Sequence, residues 1–98
     1  MISDITALLD SFDDSDAARA VLAAEFEKLA SEARTLVEKF GLQEDLAARD
    51  VIGGLETAHR CLSHRRPFER DGATLESARA ALTDLRKMTA YLGVTDAP

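Results

Sequence analysis

The sequence predicts an all-α protein, an antiparallel three-helix bundle with a short additional N-terminal helix. Three observations carry this expectation. Every apolar segment of useful length repeats at steps of three and four, the period of one helical face, and none alternates as a strand does. The segments are separated by short helix-breaking clusters at Gly41, at Pro67 to Gly72 and at Gly93. At 98 residues with 46% hydrophobic side chains, the chain can bury one modest core but not two, so it reads as a single helical domain over 1–98.

The first helix, over about 3–12, takes Ser3 as its cap and places Ile5, Leu8, Leu9 and Phe12 on one face. The second, over about 15–40, opens at Asp13-Asp14-Ser15-Asp16, where side-chain oxygens can accept from free backbone N–H groups and acid suits the positive helix end. Leu22, Phe26, Leu29, Ala33, Leu36 and Phe40 form its seam. Gly41 stops it by taking a left-handed conformation, and Leu42 is placed to fold back on the apolar face.

The third helix, over about 44–65, follows so closely that the two must form an antiparallel hairpin. Paired residues then have numbers that sum to about 83, which brings Glu25 near Ala58 and His59. Val51, Leu55, Ala58 and Leu62 lie along the middle of a wide apolar arc, with Ala48 and Ile52 on one flank and Ala47, Gly54 and Cys61 on the other. Pro67 restricts Arg66 to extended geometry, Phe68 pins the loop and Asp71-Gly72 turns it. Thr74 caps a fourth helix over about 74–92, whose seam is Leu75, Ala78, Leu82, Leu85, Thr89 and Leu92.

Twelve basic against 18 acidic residues give a net charge of −6, the wrong sign for a protein that tracks a phosphate backbone. The charge is unevenly divided: residues 1–50 hold 5 basic and 12 acidic side chains, residues 51–98 hold 7 and 6. Such halves suit different partners. Cys61 is the only cysteine, so no intrachain disulfide forms. The opening Met-Ile-Ser-Asp has neither the basic nor the apolar region of a leader, and no apolar run reaches membrane-spanning length, so the expected location is the cytoplasm. Nine arginines against three lysines, with abundant alanine, fit a GC-rich bacterial or phage coding sequence.

Three groups of residues are candidates for function. The segment from His59 to Arg70 holds both histidines and four arginines; Arg60, His64, Arg65, Arg66 and Arg70 form a candidate partner-binding rim, because guanidinium groups bind carboxylates and phosphates through paired hydrogen bonds. The same side chains at a helix C-terminus also complement its dipole. Ala47, Gly54, Ala58 and Cys61 form a small-residue strip and a candidate oligomer interface, since small side chains allow close backbone approach. The third candidate is a carboxylate–imidazole pair of Glu25 and His59, a combination that raises a histidine pKa. His59, Cys61 and His64 point in different directions around a regular helix, so no metal site is expected.

The resulting expectation is a small non-enzymatic protein-interaction module, acting through a bundle surface on another protein or as a homodimer. A small acidic inhibitor that occupies the basic groove of a nucleic-acid-binding complex is the alternative, motivated by the acidic first half. An anion binder or enzyme using the Arg/His segment is a third reading. No cofactor, catalytic set, direct nucleic-acid contact or membrane contact is expected.

Overall fold

The computed structural model describes residues 2–65, 68 and 72–93, and for Ile2 and Ser3 the backbone alone. Among them lie four helices and no strand: α1 (Ile2–Asp10), α2 (Asp16–Lys39), α3 (Leu46–Ser63) and α4 (Ala73–Leu92). The third helix is the centre of the bundle, packed against both α2 and α4, while α1 lies across α2 and α4. This is the predicted three-helix arrangement with its short N-terminal helix.

Local chemistry sets the boundaries. The Ser15 hydroxyl accepts from the Ala18 amide at 3.1 Å and caps α2. At its other end Gly41 has φ +67°, the Gly41 amide donates to the Glu38 carbonyl and the Leu42 amide to the Val37 carbonyl, which is the paired bonding of a Schellman stop. The Asp45 carboxylate then accepts from the Ala48 amide at 2.9 Å and starts α3. In α4 the cap is Gly72, with φ +79°, rather than Thr74; the left-handed glycine turns the chain one residue earlier, and Thr74 is buried inside the first turn. Likewise Ser3 lies within α1, which starts at Ile2. The third helix stops at Ser63, ahead of the predicted end, because His64 is already extended. Pro67 and Asp71, expected to end and turn this loop, lie outside the described residues; Phe68 does not pin it, since its side chain is 97% exposed.

The core follows the predicted phases closely. Phe26, Ala33, Leu55, Ala58 and Ala78 are fully enclosed, with Leu22, Leu29, Leu62, Leu82 and Leu85 packed around them. Ile5 and Leu9 seal it from α1. The seam of α2 departs from expectation at its C-terminus: Val37 is buried, Leu36 is half-buried and Phe40 is exposed. Val37 takes the core position at this end, while Phe40 lies past the last helical residue as the C-cap of α2, with φ −97° and ψ 6°, and so leaves the helical phase. Among the described residues no helix is long and apolar enough to cross a membrane.

Candidate functional site

One end of the molecule is held by a network of charges that begins with a buried arginine. Arg19, on the core side of the first turns of α2, is enclosed among apolar side chains, with 5% of its surface exposed. Its Nη1 donates to Asp14 Oδ1 at 2.6 Å, and its Nη2 donates to the carbonyl of Cys61. That carbonyl belongs to the last turn of α3, where backbone oxygens lack intrahelical donors and the helix dipole is negative. A cation from α2 thus caps the C-terminus of α3.

Asp14 is the shared acceptor. It adopts φ +59°, a left-handed conformation that aspartate tolerates better than most residues, and this turn of the α1–α2 loop aims its carboxylate at both helices. Arg65 Nη1 donates to Asp14 Oδ2 at 2.7 Å, and its Nη2 donates to the Asp14 carbonyl at 2.8 Å and to Asp16 Oδ1 at 3.3 Å. Bonds from Arg19, then from Arg65, hold the Asp14 carboxyl below the usual carboxylate range. The Arg65 guanidinium is raised by Asp14 and then Asp16. Bonds from Ser15 lower Asp13 in turn.

The candidate rim is therefore dispersed. Arg65 is engaged within the chain, Arg60 is exposed with Nη2 donating to Thr57 Oγ1 at 3.2 Å, and His64 is exposed as the cap of α3. Arg66 and Arg70 lie outside the described residues. Arg19, Asp16 and Arg65 with Ala20, Ala23 and Leu62 line a groove of about 390 Å³ between α2 and α3; Arg65 pairs with Asp16 there, and Arg19 with Asp14 beside it.

The uneven charge of the two halves has a structural outlet as well. Arg79 of α4 meets Asp10 of α1 at 2.9 Å, Arg86 of α4 donates to Thr6 of α1, and Glu56 of α3 pairs with Arg34 of α2 at 2.9 Å. Arg79 on Asp10 and Arg65 on Asp14 and Asp16 join cations of the second half to acids of the first, while Arg34–Glu56 runs the other way.

Glu25 and His59 do not pair, which corrects the expectation. His59 Nδ1 lies 2.9 Å from the Ala23 carbonyl; a carbonyl only accepts, so this nitrogen carries the proton. Glu25 instead lies 3.6 Å from Lys28 on its own helix. The hairpin register holds, since residues 23 and 59 sum close to 83, but Ala23, Ala30 and Arg34 form the flank of α2 toward α3, and Glu25 lies on the opposite flank. A smaller groove of about 200 Å³ beside His59 is bordered by Glu27, Arg34, Glu56 and Arg60. Among the described residues no three His, Cys, Asp or Glu side chains converge on a metal position.

The small-residue strip lies largely inside the chain. A Cβ at Gly54 would sit 3.8 Å from the Ala81 Cβ of α4, so Gly54 marks a close α3–α4 contact. Ala58 and Cys61 are buried, and of the four only Ala47 is exposed. A surface already covered by α4 is not available to a second molecule.

The hairpin end of the bundle carries a different apolar surface. Antiparallel packing brings the C-terminus of α2, the N-terminus of α3 and the C-terminus of α4 together, and each terminus presents a large apolar side chain to solvent: Phe40 is 41% exposed, Leu46 72% and Tyr91 85%. Lys39 Nζ lies 5.8 Å from the centroid of the Phe40 ring, and Leu42 and Leu92 support the patch from the core margin. The sequence did hold a signal for it. Leu46 is half a turn away from Leu55 around α3, and Tyr91 lies off the α4 seam, so neither belongs to an apolar face. Comparison of the chain with protein-family models, curated proteins and solved structures yields no match.

Proposed function

We propose that this protein is a non-enzymatic interaction module that binds a protein through the hairpin end of its bundle. The observation that carries the reading is that three exposed large apolar side chains, Phe40, Leu46 and Tyr91, stand at helix termini of one end of the bundle, whereas Leu8, Val21 and Phe68 are exposed singly on separate elements. Large apolar side chains rimmed by polar ones mark contact surfaces, and aromatic residues are enriched at their energetic centres. The charged alternatives have less support: Arg65 is committed to Asp14 and Asp16, and both grooves mix acids with bases.

Site-specific photo-crosslinking tests this. A photoreactive side chain at position 46 or 91 should yield one discrete adduct common to both positions, and the same group at Ser31, exposed on α2, should not form it. Equal labelling from all three positions, or none from 46 and 91, overturns the proposal.

A further inference from the structure

We infer that α1 is a strap seated on a docking surface of its own chain, and that the surface beneath it accepts an acidic amphipathic helix from a partner protein. This surface is separate from the hairpin end and does not depend on that reading. Its first element is a gap between helices. The α2 and α4 helices each pack broadly on α3 and hardly on each other, and α1 bridges them. Ile5 and Leu9 enter the same buried cluster as Leu22 and Leu29 of α2 and Leu82 and Leu85 of α4. Two apolar side chains one turn apart thus fill an apolar groove.

The second element is charge. Residues 1–18 hold five aspartates and no lysine or arginine, whereas the seat supplies arginines. Arg79 Nη2 donates to Asp10 Oδ1 at 2.9 Å and Arg86 Nη2 to Thr6 Oγ1 at 2.8 Å, which lays α1 antiparallel along α4. Both arginines are exposed beside the groove, where they favour an incoming carboxylate over a base. The occupant is defined by α1 itself: apolar residues at i and i+4, and a carboxylate at i+5.

Release of α1 is local. Nine residues are too few for a lone helix to persist in water, so α1 is helical only while seated. Its ties to Arg79 and Arg86 are exposed, and exposed pairs contribute little. The loop behind it stays pinned, because Asp14 is held by Arg19 and Arg65. Undocking therefore pivots on Ser11 to Asp13 and leaves the packing of α2, α3 and α4 in place, while the tether keeps α1 a standing competitor for its own seat.

A peptide with the sequence of Ile2–Phe12, titrated into the isotopically labelled full chain and followed by NMR, tests this. Leu9→Asp disables the tethered α1, and Leu9→Ala takes its place if circular dichroism shows that the aspartate variant has lost its helices. The peptide should bind the variant at least about tenfold more tightly than the parent. Arg79→Glu in that variant, or Asp4→Lys with Asp10→Lys in the peptide, should each weaken binding at least about fivefold, and added salt should weaken it as well. Native-state hydrogen exchange of the parent should show α1 amides opening while those of α3 stay protected. No binding to a folded variant, equal binding of the lysine peptide, or α1 amides that exchange only together with those of α3 overturns the inference. Each of these results leaves crosslinking from positions 46 and 91 unaffected, so the hairpin-end reading stands or falls separately.

Discussion

Replacing Arg19 with methionine separates the two things this residue does. Its aliphatic stem packs in the core margin, and its guanidinium bonds the Asp14 carboxylate and the Cys61 carbonyl. Methionine keeps most of the stem and removes every donor. The bond to Asp14 is backed up, because Arg65 retains that carboxylate, which is also half-exposed. The bond to Cys61 has no such backup, and its loss leaves a buried oxygen at a helix end; bonds from charged donors contribute about 1.5–3 kcal/mol and an orphaned buried acceptor costs about 1–3 kcal/mol, the same loss counted in two ways. Arg19→Met should therefore lower stability by about 1–3 kcal/mol. Arg19→Ala also gives up the stem, at about 0.8 kcal/mol for each buried methylene, and should reach about 3–5 kcal/mol. Urea unfolding followed by circular dichroism measures both. If Arg19→Met lies within about 0.5 kcal/mol of the parent while Arg19→Ala is strongly destabilised, the buried arginine is a packing residue and the capping argument is wrong.

Asp14 gives a pH prediction whose sign follows from its lowered pKa: the folded state binds a proton there less readily than the unfolded chain, so the stabilisation is present above about pH 4 and is lost as pH falls through the folded-state value. Asp14→Asn, which keeps a side chain tolerant of positive φ, should flatten that acid limb of a stability–pH profile; an unchanged limb counts against the Asp14 assignment. Gly54→Ala should stabilise by about 0.5–1 kcal/mol, because the added methyl meets Ala81 at an ordinary contact distance and improves helix propensity. Gly54→Leu should cost about 1–3 kcal/mol by driving α3 from α4, and a thermal melt that ranks the two in the opposite order would show that the helices are not this close. Leu55→Ala, at a fully enclosed position, should cost about 2–5 kcal/mol in a denaturant melt.

What the sequence revealed and what it hid divide along the range of the interactions. Helix phases, the Ser15 cap, the Gly41 stop and the hairpin register all depend on neighbours within a few residues, and the structure matches them. Arg19 had a local signal that went unused: it extends the Leu22–Phe26–Leu29 seam by three residues toward the N-terminus, so a charged side chain was placed on a core face and required a buried partner. Its partner at Cys61 lies 42 residues away and is a backbone carbonyl, which no side-chain pattern can announce. Arg65 was equally opaque, because its acids lie 49 to 51 residues away, Asp14 in a loop whose left-handed turn there decides where its carboxylate points and Asp16 at the start of α2. Reading Arg65 as free to meet a partner followed from treating local charge density as surface charge.

The hairpin end shows the same limit from the other side. Periodicity describes which face of a helix is covered along its length, and it placed Phe40 on the α2 seam. The helix stops at Lys39, and Phe40, its C-cap, has left the helical phase, so a residue on the seam by spacing is solvent-exposed in the structure. Leu46 and Tyr91 reach the same end by the opposite route, since both lie off their apolar faces and would be isolated surface residues on a longer bundle. The exposure of Phe40 follows from the stop at Gly41, so Gly41→Ala, which puts a Cβ on a φ of +67°, should destabilise the protein by about 1–2 kcal/mol in a urea melt, and an unchanged midpoint would refute this account of the helix end.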